Sequence, residues 1–296
     1  MKVSDNIRNL ASLSMAVRPA QLFRLIAYAV SNRLYRTTGL RLCSDVELEF
    51  TFGMFRVLAD RGDLGTIGEI FCQRPYETFS DYIPDEGDTC LDVGANIGCV
   101  SLQWRRTNKT GVIIAVEPHP VTVQRMRENF ALNRIQPIEC LHAAIGSTGG
   151  QVDIIVDEGK NSMARVVGGH LRHIKPFERS SVTTVPCITI DAVIAERRIT
   201  RVDLLKIDVE GYEVECLLGA SAALEVTARV ILEYHSEELK ESCRALLSSR
   251  GFECEISESL LFARNRKSQS VGDSGGTFNE ARQNQQRDSR FSTPNS

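Results

Sequence analysis

The chain has 296 residues, of which 42% are hydrophobic and 25% charged, and its net charge is −3. This is ordinary globular usage with enough apolar side chain for a sizeable core, which excludes collagen-like, fully disordered and disulfide-stapled architectures. Residues 1–41 carry a net +6 and residues 264–296 a net +3, leaving −12 on the body between them; an acidic body with basic ends argues against a nucleic-acid-binding domain.

In chain order, the first element is a basic helix over about 19–34, with Pro19 in its first turn. Leu22, Leu25, Ile26, Ala29 and Val30 share one face, a surface for packing on the body. Residues 18–36 are also a candidate peripheral membrane contact, because basic residues flank that apolar face. Short helical patterns continue over 42–86 and end in the turn Pro84-Asp85-Glu86-Gly87. From there strands and helices alternate. Strands are expected at 89–93, 112–116 and 138–145, with helices at 97–106 and 120–133. Strand-like pieces at 151–156 and 182–188 flank a loop over 157–181. A short helix at 191–197 leads to a buried strand at 202–209, a helix at 212–224, a strand at 228–234 and a helix at 237–249. A hairpin of 252–256 and 260–263 closes the fold. Strands joined by helical crossovers imply a mostly parallel, doubly wound α/β sheet. Beyond 267 the composition offers almost nothing to bury, so a disordered tail is expected over 266–296.

Nine cysteines occur without any C-x-x-C pair, and the closest two are nine residues apart. That spacing carries no zinc-site pattern and fits free thiols in a reducing compartment. Met1–Leu13 has no continuous apolar signal region, and Leu25–Val30 is far too short to span a bilayer. A cytoplasmic protein, at most peripheral to the inner face of the membrane, is the expectation.

The run Cys90-Leu91-Asp92-Val93-Gly94-Ala95-Asn96-Ile97-Gly98 places a glycine turn between a buried strand and a helix. Gly94 and Gly98 allow close backbone approach, and Glu117, at the end of the next strand, is placed to accept hydrogen bonds from a ribose diol. A dinucleotide fingerprint would have glycine where Asn96 stands. Asp92 would repel a pyrophosphate but suits a ligand bearing an ammonium and a sulfonium, such as S-adenosylmethionine.

These residues, with Glu117-Pro118-His119-Pro120 and Lys206-Ile207-Asp208-Val209-Glu210-Gly211, resemble the FkbM-type class I methyltransferases. Asn129 and Asn133, Thr189-Ile190-Asp191 and Glu233-Tyr234-His235 extend the resemblance over roughly 60–262, with Cys99 a mild departure. It implies a Rossmann-like sheet of seven strands ending in an antiparallel hairpin. The corresponding division of the chain is a helical extension (1–86), a methyltransferase domain (87–265) and the tail. It also implies S-adenosylmethionine as methyl donor and a hydroxyl on a sugar, glycolipid or natural product as acceptor. Asp92, Gly94, Asn96, Gly98 and Glu117 would form the cofactor site, with adenine near His142–Ala144.

The acceptor end is expected where ligands bind such sheets, beyond the carboxyl ends of the strands. Lys206, Asp208 and Glu210 at one strand end and His235 at the next are the candidate catalytic residues. Asp208 or His235 would take the acceptor proton, with Glu210 orienting them. Lys206 has a second reading, as an internal ion pair that neutralises Asp208 and Glu210. A divalent cation on Asp208 with Glu210 or Glu233 is compatible with the chemistry but not demanded by the spacing, and none is assigned. Two other functions share these features, a nicotinamide-dependent oxidoreductase and a non-catalytic nucleotide-binding partner.

Overall fold

A computed structural model describes residues 48–52, 55–59, 63–157, 160–169 and 180–267, with Ala16 and Ile26 as isolated positions. Apart from Ile26, the basic helix expected over 19–34 lies outside the described residues, as does the tail beyond 267.

Seven strands form the central sheet: β3 (Cys90–Val93), β4 (Ile113–Glu117), β5 (Glu139–His142), β10 (Val202–Ile207), β11 (Thr227–Glu233), β12 (Phe252–Ser257) and β13 (Leu260–Asn265). Their spatial order is β5-β4-β3-β10-β11-β13-β12. Only β13 runs antiparallel to its neighbours, β11 and β12. The expected doubly wound topology is therefore present, with its direction reversed at β3, where the order turns from descending to ascending. Strand β10 is buried at every position because helices cover both faces, as a parallel sheet requires.

One face packs against α2 (Cys99–Trp104) and α3 (Pro120–Leu132); the other carries α4 (Ile190–Glu196), α5 (Glu213–Leu218), α6 (Ser221–Val226) and α7 (Glu237–Ser249). The single helix expected at 212–224 is thus two. Gly219 caps the end of α5, and it lies so close to the Gly146 carbonyl that a Cβ there would stand 2.1 Å from its oxygen.

Three further differences concern the strands. The segment expected as short helical patterns contains an antiparallel hairpin, β1 (Leu48–Phe52) and β2 (Phe55–Ala59). Phe50, Phe55 and Val57 bury in the same core as α2 and α3, so this part is not a separate helical extension. Short helix α1 (Leu64–Ile67), a π-helix at Gly68–Gln73 and 3-10 turns at Pro75–Glu77 and Ser80–Tyr82 follow. Two asparagines of α3 dock the edge of β2. Asn129 exchanges hydrogen bonds with both backbone groups of Leu58, at 2.6 and 3.1 Å, and Asn133 with those of Arg56, both at 2.8 Å. The edge strand is thereby satisfied without another strand.

The third expected strand breaks at Ala143 into β5 and β6 (Ala144–Ile145). Strand β6 joins β7 (Gly150–Asp157), β8 (Lys160–Val166) and β9 (Ser180–Ile188) in a second, four-stranded sheet of order β6-β9-β7-β8. Part of the expected loop over 157–181 is therefore strand. The eight described cysteines form no disulfide, and none of the described helices is long and apolar enough to cross a membrane.

Candidate active site

The glycine turn follows β3. Gly94 has φ +75°, and a Cβ there would stand 1.7 Å from the Asp208 carbonyl oxygen. Only glycine lets the loop pass this close to the end of β10. Gly94 and Ala95 donate their N–H groups to the Val116 carbonyl, at 2.9 and 3.0 Å, which anchors the loop on β4. Asn96 takes the left-handed conformation that asparagine tolerates, and its N–H donates to Glu117 Oε2 at 3.0 Å.

A cleft runs across these strand ends. Gly94, Asn96 and Glu117 line it. Val116, Pro118, Ala143 and Ile145 add apolar surface, with Ile154 and Val166 of the second sheet. Asp208, Val209, Glu210 and Tyr212 line it as well. Two further residues expected at the cofactor, Asp92 and Gly98, are not part of the cleft lining. Asp92 is fully buried, accepts from Ser101 Oγ at 2.7 Å and lies 3.1 Å from Lys206 Nζ. Gly98 makes room for α3, since a Cβ there would meet the Phe130 ring at 2.5 Å. Both build the turn.

Glu117 is the buried acid at the centre. Its Oε1 accepts from the His119 N–H at 3.0 Å, matching the Asn96 bond to Oε2. Burial pushes its carboxyl up to about 7, against those two bonds, which favour the ionised form. Each oxygen keeps a lone pair for a further donor.

At the acceptor end the register of β10 and β3 sets Lys206 beside Asp92. Lys206 Nζ donates to the Gly94 carbonyl at 2.7 Å and lies 3.6 Å from Asp208 Oδ2. Burial alone would lower this ammonium, but Asp92 and Asp208 outweigh it and raise it. The geometry thus realises the internal ion pair, with Asp92 in place of Glu210 as the second partner.

His235 follows β11. Its Nδ1 lies 2.8 Å from Glu213 Oε1, and its Nε2 lies 3.6 Å from Glu210 and 3.9 Å from Asp208. Burial alone would lower the ring; the Glu213 hydrogen bond and the charges of Asp208 and Glu210 raise it to about 10. These neighbours favour the protonated ring over the neutral one that a base requires; the ring sits among three carboxylates, Glu213, Glu210 and Asp208. Glu210 also faces Arg165 of β8 at 3.8 Å, and burial, with Asp208 as like charge, raises its carboxyl.

Tyr76 was not among the expected site residues, and Glu233 was named only as a strand-end carboxylate that a cation could use. The Tyr76 hydroxyl, on the 3-10 turn before the main sheet, reaches Glu233 Oε2 at 2.8 Å and Asp208 Oδ2 at 3.3 Å. Burial and Asp208 push the Glu233 carboxyl up to about 7. Among the described residues, no three or more His, Cys, Asp or Glu side chains are grouped to hold a metal ion.

The model of the methyltransferase FkbM domain matches residues 92–254, more than half of the chain. The chain belongs to the FkbM methyltransferase family. The methyltransferase is 28% identical over 226 residues to methyltransferase sdnD of Sordaria araneosa, an alignment covering 66% of this chain and 87% of sdnD. Hexuronic acid methyltransferase AglP of Haloferax volcanii is 29% identical over 179 residues, covering 59% and 67% respectively. The 2-O-methyltransferase NoeI of Sinorhizobium fredii is 25% identical over 160 residues, covering 51% and 65%. Among solved structures, a methyltransferase FkbM from Methylobacillus flagellatus superposes with a TM-score of 0.43 at 14% identity, covering 87% of this chain and 58% of that chain.

As a family member, the methyltransferase uses S-adenosylmethionine as its methyl donor, which supersedes the nicotinamide reading. The residues fit that group. Glu117 would offer the ribose an acceptor on each oxygen, the apolar side chains of the lining would take a flat base, and Gly94 would leave backbone open to the cleft. When bound, the donor supplies a methyl group already activated on a sulfonium, so the protein's own work is positioning and proton removal.

Proposed function

We propose that the chain is an O-methyltransferase acting on a hydroxyl of a sugar, a glycolipid or another small natural product. The observation that carries this is Asp208, a carboxylate that lines the same cleft as Glu117. A hydroxyl presented there can pass its proton to the Asp208 carboxylate as its oxygen becomes nucleophilic. Lys206 holds that carboxylate from behind, and the His235 cation holds it and Glu210 from the side. The two relatives named for a hexuronic acid and for 2-O-methylation support an oxygen on a sugar as the target class. The carboxylates at this end do not suit a polyphosphate chain, so no nucleic-acid partner is proposed.

The test is a mass-spectrometric screen with S-adenosylmethionine. Acceptors would be methyl glycosides of neutral hexoses and hexuronic acids, lipid-linked sugars and hydroxylated natural products. A product heavier by one methylene, with the methyl on oxygen, is expected. Methylation only on nitrogen or carbon would refute the proposal, as would donor binding without transfer to any acceptor.

A further inference from the structure

The segment that precedes the family-matched region reaches into the acceptor end through one hydroxyl. The π-helix Gly68–Gln73 is held to α2 by Gln103, whose Nε2 donates to the Ile70 carbonyl at 3.1 Å. It ends at Arg74 in the left-handed conformation, φ 54°, which turns the next residues toward the sheet. Glu77 then pairs with Arg106 at 2.6 Å and with Arg74 at 3.5 Å, clamping the turn. Tyr76 between them is only 3% exposed, and its ring lies 5.6 Å from Lys206 Nζ. A built support of this kind fixes where the phenol oxygen sits.

That oxygen has one proton and two carboxylate neighbours. The shorter contact, to Glu233, takes the hydrogen; the longer faces Asp208 Oδ2, the oxygen also 3.6 Å from Lys206 Nζ. The other groups acting on Glu233 are Glu69 on the π-helix, His235 after β11, Lys206 on β10, and the Ser259 hydroxyl at 3.5 Å. We propose that Tyr76 is a positioning residue for methyl transfer, its hydroxyl holding Glu233 ionised and tying it to Asp208 Oδ2 at the acceptor end. This rests on the O-methyltransferase reading. Loss of that donor would let Glu233 take up a proton, and the contact of the phenol with Asp208 would go with it.

Tyr76→Phe keeps the ring and removes the hydroxyl. The melting temperature and the affinity for S-adenosylhomocysteine should stay near wild type. With the acceptor methylated best in the screen above, turnover should fall roughly tenfold. The acidic limb of its pH profile should move to higher pH by about one unit. Glu233→Gln, which has no carboxyl left to protonate, should remove the share of that limb that Glu233 contributes. A titration of protein labelled with 13C at the glutamate carboxyls reads Glu233 directly, its signal assigned by loss in Glu233→Gln. Its midpoint should rise in Tyr76→Phe, with or without an acceptor. An unchanged midpoint overturns the proposal, and so does a raised midpoint with an unmoved pH profile. Should Tyr76→Phe fail to fold, an unmoved profile in Glu233→Gln overturns it. A raised midpoint in a protein that methylates no hydroxyl refutes the underlying reading, and with it the transfer role.

Discussion

The carboxylate of Glu117 accepts from two backbone N–H groups and still faces the cleft, so its replacement should be felt first in donor binding. Glu117→Ala removes two hydrogen bonds to a charged acceptor, about 2–4 kcal/mol, or roughly 30- to 1000-fold in Kd. Calorimetry with S-adenosylhomocysteine reads this, and an affinity within a few fold of wild type would remove Glu117 from the site. The acceptor end should behave in the opposite way. Asp208→Asn is expected to keep donor affinity within a few fold while turnover falls by roughly 10²–10⁴, the usual worth of a positioned base. Wild-type turnover in that variant would end the assignment. Lys206 belongs to neither class. Removing its ammonium with Lys206→Met leaves Asp92 buried with its charge uncompensated, at a cost of about 3–5 kcal/mol. Chemical denaturation should show that loss, and unchanged stability would contradict the structural role of the pair.

At the scale of elements, the two glycines of the turn separate by what surrounds them. Both have positive φ, so any side chain is strained at either. A Cβ at Gly98 meets the Phe130 ring, which a smaller side chain would relieve; a Cβ at Gly94 meets backbone at Asp208, which nothing relieves. Gly98→Ala should therefore destabilise the fold and recover in part with Phe130→Leu, whereas Gly94→Ala should show no recovery in any side-chain background. Thermal melts of the single and paired variants decide it; equal behaviour of the two sites would refute the distinction. The same elements show what could be read in advance. The β3 turn, Glu117 and the Lys206–Glu210 block are local signals, a buried run followed by glycine or acid, and the parallel sheet preserves them. The β1–β2 hairpin was legible too, since Phe50 and Phe52, then Phe55 and Val57, recur at every second position; helical spacing was the wrong period for it. Tyr76 was not legible. It meets Asp208 and Glu233 across 132 and 157 residues, and no local pattern encodes such a meeting. The contact of His235 with Glu213 was not legible either, because Glu213 reads in sequence as an ordinary helix-start acid.

For the whole molecule these groups couple folding, protons and donor in opposite directions. Glu117 and Glu233 sit near 7 in the folded chain against an ordinary 4.5, and His235 near 10 against 6.5. In each case the folded state holds its proton more tightly than the unfolded state does. Their contribution to stability is therefore complete below the ordinary value and is lost as pH rises through the folded one. From these groups the ligand-free protein loses stability first between about pH 4.5 and 7, through the two carboxyls, and again toward pH 10 through His235. Donor binding runs against the first of these. A ribose diol donates to an ionised Glu117, so binding must expel the proton that Glu117 holds below about pH 7. Affinity for S-adenosylhomocysteine should then be about tenfold lower at pH 6 than at pH 8, and the donor's increment in melting temperature should grow over the same interval. Calorimetry in buffers of different ionisation enthalpy should detect the released proton at pH 6. Glu117→Gln, which has no proton to lose, should bind more weakly but with a flat pH dependence. If the wild type itself shows equal affinity at pH 6 and 8 and releases no proton, Glu117 is not the group that receives the ribose.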